Sequence, residues 1–358
     1  MHLGDPEASL DYAHLCLEAA QHSGDVWREA EAHYALCLIF GLWDAEKPMH
    51  HIEKSIELSE STGDRYWLSQ GYILGGLMLA RQAKIAQAIA YTEKALYVAQ
   101  ELNNRHAIAG ASVNLGAFAR SEGDWERAEK LLYNGLRLQQ EMGYAPESLI
   151  SIQVRLSELY LLQGDIESAD DYLQLAEKSL YDVEYPAAIS RYYSQKSMMA
   201  EYQGLYEEAY RLASKATSYI QTNMNWSIVH YATQRLAWSQ CCINKYDEAE
   251  SYLITVTRQE LLSNRSWNMI RNVALLSLFV AHTGDFQHAA IMISLVDHHQ
   301  IQSAWLQNHP KLAELRQALR DSLGESTYEQ ARQSAKDADV RAILRDYLRD
   351  YDPNYSGD

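Results

Sequence analysis

Proline and glycine are scarce in this chain, 6 and 17 residues of 358. So few breakers leave long unbroken stretches, which disfavours a β-rich fold with its many turns. Basic side chains are outnumbered, 31 against 48 acidic ones, for a formal charge of −17. A chain of that sign is repelled by phosphate backbones, so no nucleic-acid partner is expected. The longest apolar runs, such as Val273 to Ala281, reach about nine residues. A membrane span needs roughly 20, so no membrane partner is expected either. The opening residues, Met1 to Asp5, lack the basic start and apolar stretch of a signal peptide. The 4 cysteines, Cys16, Cys37, Cys241 and Cys242, include no Cys-x-x-Cys pair. Disulfides between adjacent cysteines are strained, so all of them are read as reduced core residues of a cytoplasmic protein.

Catalytic signatures are missing as well. There is no glycine-rich phosphate loop, no His-Glu-x-x-His and no nucleophile elbow. The histidine pairs His50-His51 and His298-His299 invite a metal reading. Adjacent residues on a helix point about 100° apart, however, so neighbouring histidines rarely share an ion. The expectation is a non-enzyme with no metal and no cofactor.

What the chain does have is a repeat. Gly-Asp-Trp-Glu-Arg-Ala at 123–128 returns as variants at 164–169, 204–209, 244–249 and 284–289, with a weaker copy at 83–88 and a degenerate one at 41–43. The starts at 83, 123, 164, 204, 244 and 284 lie 40 or 41 residues apart. A helical pattern precedes each phrase (helix A) and another follows it (helix B). The glycine suits the left-handed backbone of the turn between them, and the residue two places on is expected to staple the turn to the core. The closing alanine (Ala88, Ala128, Ala169, Ala209, Ala249, Ala289) should face a second small row, Gly76, Gly116, Ser157, Ser197, Ala237 and Ser277, where A crosses B. A second break recurs between units at 61–64, 102–104, 142–144 and 223–225. One pair cannot bury its own apolar face; stacked neighbours can.

This pattern resembles the tetratricopeptide repeat, with its small eighth, glycine fifteenth and alanine twentieth positions. The resemblance implies an all-α fold: a right-handed superhelix of antiparallel helix pairs, a TPR-like α-solenoid of seventeen or eighteen helices. Residues 1–302 would form about seven units, the first incomplete, and 303–358 a C-terminal helical cap with a loose tail from 350. The forty-residue period and the closing segment at 323–348 are similar to the C-terminal sensor arrays of MalT-like and LuxR-type STAND ATPases and transcription regulators. That likeness implies a recognition module, with an attached NTPase domain in cis as a possible partner. The alternative is a freestanding scaffold that assembles proteins.

In this family helix A lines the concave face. Mapping its inner positions gives an apolar stretch in the early units (Ile73, Leu77, Val113, Val154) and a polar one later. The candidate ligand contacts are Asn114, Arg155, Glu158, Arg191, Gln195, Met198, Tyr231, Arg235, Trp238 and Arg271. Arginines beside aromatics suit a protein, peptide or small anionic ligand in the groove. The other reading is that the arginines pair with Glu158, Glu201 or other acids across units. Asn114 alone fits the carboxylate clamp of chaperone-binding relatives.

Overall fold

The computed structural model describes residues 6–40, 47–82, 84–143, 146–180, 183–220, 226–263, 266–299 and 303–355. Among the described residues there are nineteen helices and no strand. The chain divides into two compact units, 1–118 with 130–143, and 119–129 with 144–358.

The first unit begins with α1 (Pro6–Ser23), α2 (Val26–Phe40) and α3 (Lys47–Thr62). It continues through α4 (Arg65–Arg81) and α5 (Ile85–Glu101), and takes most of α6 (Arg105–Ser121) and α7 (Trp125–Glu141). In two successive pairs, the arginine that opens helix A bonds the glutamate that closes helix B: Arg65 to Glu101 and Arg105 to Glu141.

The second unit holds four A/B pairs and a cap. The first three are α8 (Pro146–Gln163) with α9 (Ile166–Ser179), α10 (Pro186–Tyr202) with α11 (Tyr206–Ser218), and α12 (Trp226–Cys242) with α13 (Tyr246–Ser263). A fourth, α14 (Ser266–His282) with α15 (Phe286–His298), leads into the cap of α16 (Ala304–Asn308), α17 (Pro310–Leu323), α18 (Glu325–Ala335) and α19 (Val340–Tyr351). The helices A of this unit touch in series, α8 to α10 to α12 to α14. One apolar core runs through it from Ile150 to Leu348.

The turn phrase works through two devices. Gly123, Gly164, Gly204, Asn244 and Gly284 all have positive φ, between 62° and 91°. The aspartate that follows the glycine then accepts the backbone N–H three residues on, Asp165 from Ser168 and Asp285 from His288, each at 3.1 Å. One residue thus ends helix A and the next caps helix B. The second breaks behave alike at Gly63, Asn103 and Gly143. Ala83, 41–43 and 223–225 lie outside the described residues.

The alanine row is fully buried at all six positions. It faces the second small row as expected. A Cβ on Gly76 would fall 2.4 Å from Thr92 Oγ1 and 3.1 Å from the Ala88 carbonyl. The Ser197 hydroxyl donates to the Ala209 carbonyl at 2.8 Å.

Several expectations need correction. The residue two places after the turn glycine or asparagine is not always a staple: Trp125, Tyr206 and Tyr246 pack on the core, whereas Ile166 and Phe286 are more than a third exposed. Cys16 is exposed, unlike the buried Cys37, Cys241 and Cys242. The helix count exceeds seventeen or eighteen because 304–308 forms a helix of its own. The tail is tied down at its start, since Arg258 forms an ion pair with the buried Asp352.

In the first unit His33 and His51 meet through their Nδ1 atoms at 2.9 Å, and the His51 ring stacks on Phe40. Burial, with the charge of His33 and His50 behind it, lowers the His51 pKa from 6.5 to about 4; burial lowers that of His33 too. A folded pKa below the unfolded one means stability that is complete above 6.5 and is lost as pH falls toward 4. Melting curves across that window should show this loss, and His51→Gln should flatten it; an equal slope in the variant would break the assignment.

The crossing makes a second prediction. Ala169→Leu or Ala209→Leu should cost about 1–3 kcal/mol by overpacking. Urea midpoints unchanged in both variants would show that A and B do not approach most closely there.

Candidate functional site

The second unit gathers nine of the ten candidate residues; Asn114 lies in the first unit. Successive helices A are staggered, and this decides which side chains meet. Gln195 donates from Nε2 to Ser157 Oγ at 3.1 Å across 38 residues, and the Tyr231 hydroxyl donates to Gln195 Oε1 at 3.1 Å across 36. Equivalent positions are 40 apart in the repeat, so neighbouring helices are offset by about one turn.

Arginines from four helices A of this unit, and from the end of α6, converge on two carboxylates. Arg120 Nη1 donates to Glu158 Oε1 at 2.9 Å, and Arg271 Nη1 stands 3.5 Å from the same oxygen. Arg271 belongs to α14 and Glu158 to α8, so side chains from the first and last helices A of the unit meet across the inner face. Arg235 Nη1 donates to Glu201 Oε2 at 2.9 Å, with both side chains fully buried. Tyr231 lies under two guanidinium groups, its ring 6.0 Å from Arg235 and 5.6 Å from Arg271. Its hydroxyl also points to the sulfur of Met198 at 3.7 Å.

Burial alone would raise the Glu158 carboxyl. The guanidinium groups of Arg120, Arg271, Arg155 and Arg191 outweigh it and hold the pKa below the ordinary value. For Glu201 burial wins, and its pKa stands at about 7 despite Arg235 and Arg271. Burial, then the like charge of Arg235, brings Arg271 down to about 10. Glu260 pulls on Arg271 more weakly, from its bond with His230. Four of these arginines thus act on Glu158, two on Glu201, and Glu260 acts on Arg271.

This is not the solvent-facing strip that position alone suggested. Glu158, Gln195, Met198, Arg235, Trp238 and Arg271 are buried, as is Val154 of the apolar stretch. Arg155, Arg191 and Tyr231 are half-buried and form the accessible edge. Pairing with Glu158 and Glu201 accounts for Arg120, Arg235 and Arg271. Ile73, Leu77, Val113 and Asn114 belong to the first unit.

Part of the burial comes from the cap. α16 lies against α8, where the Ser303 hydroxyl donates to the Leu162 carbonyl at 3.2 Å. Trp305, fully buried, sits 4.8 Å from the Trp238 ring and 5.3 Å from the Arg235 guanidinium. Trp238 Nε1 donates to His309 Nε2 at 3.2 Å, and burial lowers the His309 pKa to about 3, so this ring is neutral and can accept. Residues 303–309 therefore occupy the inner face beside the C-terminal halves of α8 and α12.

Sequence reasoning missed Arg120 as an inner residue and the roles of Trp305 and His309. Arg120 and Glu201 each lie three residues after the ninth-position row, so extending that row by one turn finds both. Trp305 and His309 lie outside the repeat period, and no row leads to them. A hollow of about 430 Å³ between α9 and α10, lined by Asp170, Glu177, Lys178 and Lys196, lies elsewhere. Among the described residues no group of three or more His, Cys, Asp or Glu could hold a metal, and no helix is long and apolar enough to cross a membrane.

No protein-family model matches the chain, and no curated protein does. Solved structures do. A Rap protein complexed with competence and sporulation factor is similar at 12% identity over 97% of this chain and 99% of that one, with a TM-score of 0.58. BtubC from P. vanneervenii is similar at 18% identity over 60% of this chain and 90% of that one, TM-score 0.51. A STAND protein with a tetratricopeptide repeat sensor from Pyrococcus horikoshii gives 15% identity over 93% of this chain and 50% of that one, TM-score 0.44. The fold is that of the tetratricopeptide-repeat solenoids. At these identities the likeness shows the fold alone.

The buried ion pair makes an asymmetric prediction. Glu201→Gln strands the Arg235 guanidinium in the interior and should cost about 3–5 kcal/mol. Arg235→Met leaves a carboxyl that can take up a proton near pH 7 and should cost less. Urea unfolding at neutral pH compares them; a larger loss in Arg235→Met would refute the account.

Proposed function

We propose that this chain is a non-catalytic recognition module, and that it serves as the sensor region of a multidomain STAND-type signalling ATPase or transcription regulator. Tetratricopeptide-type solenoids are scaffolds for recognising other molecules, and this fold is the one the chain has. One observation carries the reading furthest. In a chain of charge −17, five arginines meet on one inner face, and Arg155 and Arg191 stand half-buried at its edge. The surface suits a protein, a peptide or a small anionic inducer, and the proposed setting is cytoplasmic. The ten residues from Asn114 to Arg271 named above are the proposed contacts, with Arg155, Arg191 and Tyr231 reached first. A ligand favouring one arrangement of the array would pass its effect to an attached domain by shifting populations.

A freestanding scaffold is the second reading, and the solenoid fold supports it equally. The coding sequence ahead of Met1, followed by ATP turnover, separates the two. The sensor reading expects an in-frame nucleotide-binding domain whose turnover changes several-fold when the array is deleted. A nucleotide-binding domain indifferent to that deletion, or none encoded, leaves the scaffold.

A further inference from the structure

We infer that the inner face of the second unit carries a seat for a tryptophan-bearing peptide segment of a partner, and that residues 303–309 fill it in cis as a displaceable stand-in. The inference rests on the recognition reading above and names the kind of segment the face takes up.

The seat is made by the repeat, and its occupant is not. Leu162 and Gly164 come from the end of α8 and its turn, Glu201 from α10, and Arg235 and Trp238 from α12. The occupant, Ser-Ala-Trp-Leu-Gln-Asn-His at 303–309, stands outside the forty-residue period. Its Trp305 ring lies 4.8 Å from that of Trp238, and the Arg235 guanidinium is 5.3 Å from the first indole and 5.4 Å from the second. A buried cation beside two aromatic rings favours an indole over an aliphatic side chain. The seat also fits the backbone of a peptide. A Cβ on Gly164 would fall 2.9 Å from the Ala304 Cβ, whereas at the equivalent Gly204 and Gly284 the same position is open. The Ser303 hydroxyl donates to the Leu162 carbonyl next to it.

The chain's own segment fits imperfectly. Trp305 Nε1 and His309 Nδ1 are buried without a hydrogen-bond partner in the chain, and so are Arg235 Nε and Nη2 and Glu201 Oε1. Each has lost its hydration without gaining a partner. α16 has five residues and no side-chain cap, too short to hold a helical form by itself. A partner segment that brings a tryptophan together with a free acceptor oxygen would also engage the Nε and Nη2 pair of Arg235.

The rest of the cap has its own attachments. α17 packs on α14 and α15, α18 on α15, and α19 on α13 and α14, whereas α16 lies against α8 and α17. Residues 303–309 can therefore leave the seat without taking the cap with them.

The test uses the full chain and a fluorescein-labelled peptide, Ser-Ala-Trp-Leu-Gln-Asn-His, followed by anisotropy. The Trp305→Ala chain should bind it saturably. Wild type should bind it about tenfold more weakly or less, because its own segment competes at high effective concentration. Trp238→Ala in the Trp305→Ala background should abolish binding, as should alanine for the tryptophan of the peptide. Equal binding by wild type and Trp305→Ala, binding that does not need the peptide's tryptophan, or none to a Trp305→Ala chain that still melts cooperatively overturns the seat. Hydrogen exchange of wild type covers the case of a variant that does not fold. The Gln307 amide, bonded to the Ser303 carbonyl at 3.0 Å, should exchange about tenfold faster or more than amides in the middle of α14, by local opening. A common rate for both makes 303–309 a fixed part of the core and overturns the inference. Each of these failures leaves the recognition module standing, because the half-buried edge at Arg191 and Tyr231 can still meet a ligand. Peptide binding by an array whose deletion leaves an attached ATPase unchanged would sink the sensor reading and not the seat.

Discussion

Each unit of this solenoid depends on how closely helix A can approach helix B. At the crossing a Cβ on Gly76 would meet Thr92 Oγ1 at 2.4 Å, and Ser197 is near enough to donate to the Ala209 carbonyl. Backbones that close leave no room for a side-chain layer between them. The large apolar residues of each pair must then turn outward, to the pairs before and after, which is why the unit is stable only as part of a stack. In the second unit one large core continues from α8 into the cap helices. A larger residue in either small row would push apart a contact on which the register of the next pair is built.

The repeat was legible because its local devices are written in the chain next to the bends they make. Glycine or asparagine takes positive φ at the turn, aspartate caps the following helix, and a buried alanine follows at a fixed distance. The inner-face residues were legible too, as members of helix A. Their partners were not. Rows drawn at forty residues describe equivalence, whereas contact follows the stagger of adjacent helices: Tyr231 meets Gln195 across 36 residues and Arg235 meets Glu201 across 34. That offset, together with a curvature that brings Arg271 to Glu158, turns an expected strip of arginines into a knot. Curvature sums small rotations between pairs, and no single position encodes it. The seat of Trp305 was hidden for another reason, since a segment outside the period has no equivalent to be compared with.

The buried charges cannot be explained as a source of stability. Well-packed apolar side chains in place of a buried ion pair are often neutral or stabilising, while a pair with one member removed is strongly destabilised. The two carboxyls also respond in opposite ways to similar burial. Glu158, drawn on by four guanidinium groups, stays ionised, whereas Glu201 rests at about 7. A cluster that is partly unsatisfied and costly is better suited to choosing a partner than to holding helices together.

The two ends of the inner face differ chemically, and that difference separates two ways in. Near the C-terminal ends of α8 and α12 the face is sealed by Trp305, Trp238 and a neutral His309, an aromatic contact in which Trp238 Nε1 donates to His309 Nε2. Arg235, buried there beside Trp305, is already held by Glu201. At the N-terminal side Arg155 and Arg191 are only half-buried, and the helix dipoles point their positive ends the same way. The N-terminal side can therefore be approached directly, whereas the sealed end admits a segment only in exchange for residues 303–309. That exchange would break the bond from Ser303 to the Leu162 carbonyl and part α16 from α8, the first helix A of the unit. A tie between the cap and α8 would then depend on what fills the seat, and this is how a bound segment could be read by whatever the array is joined to.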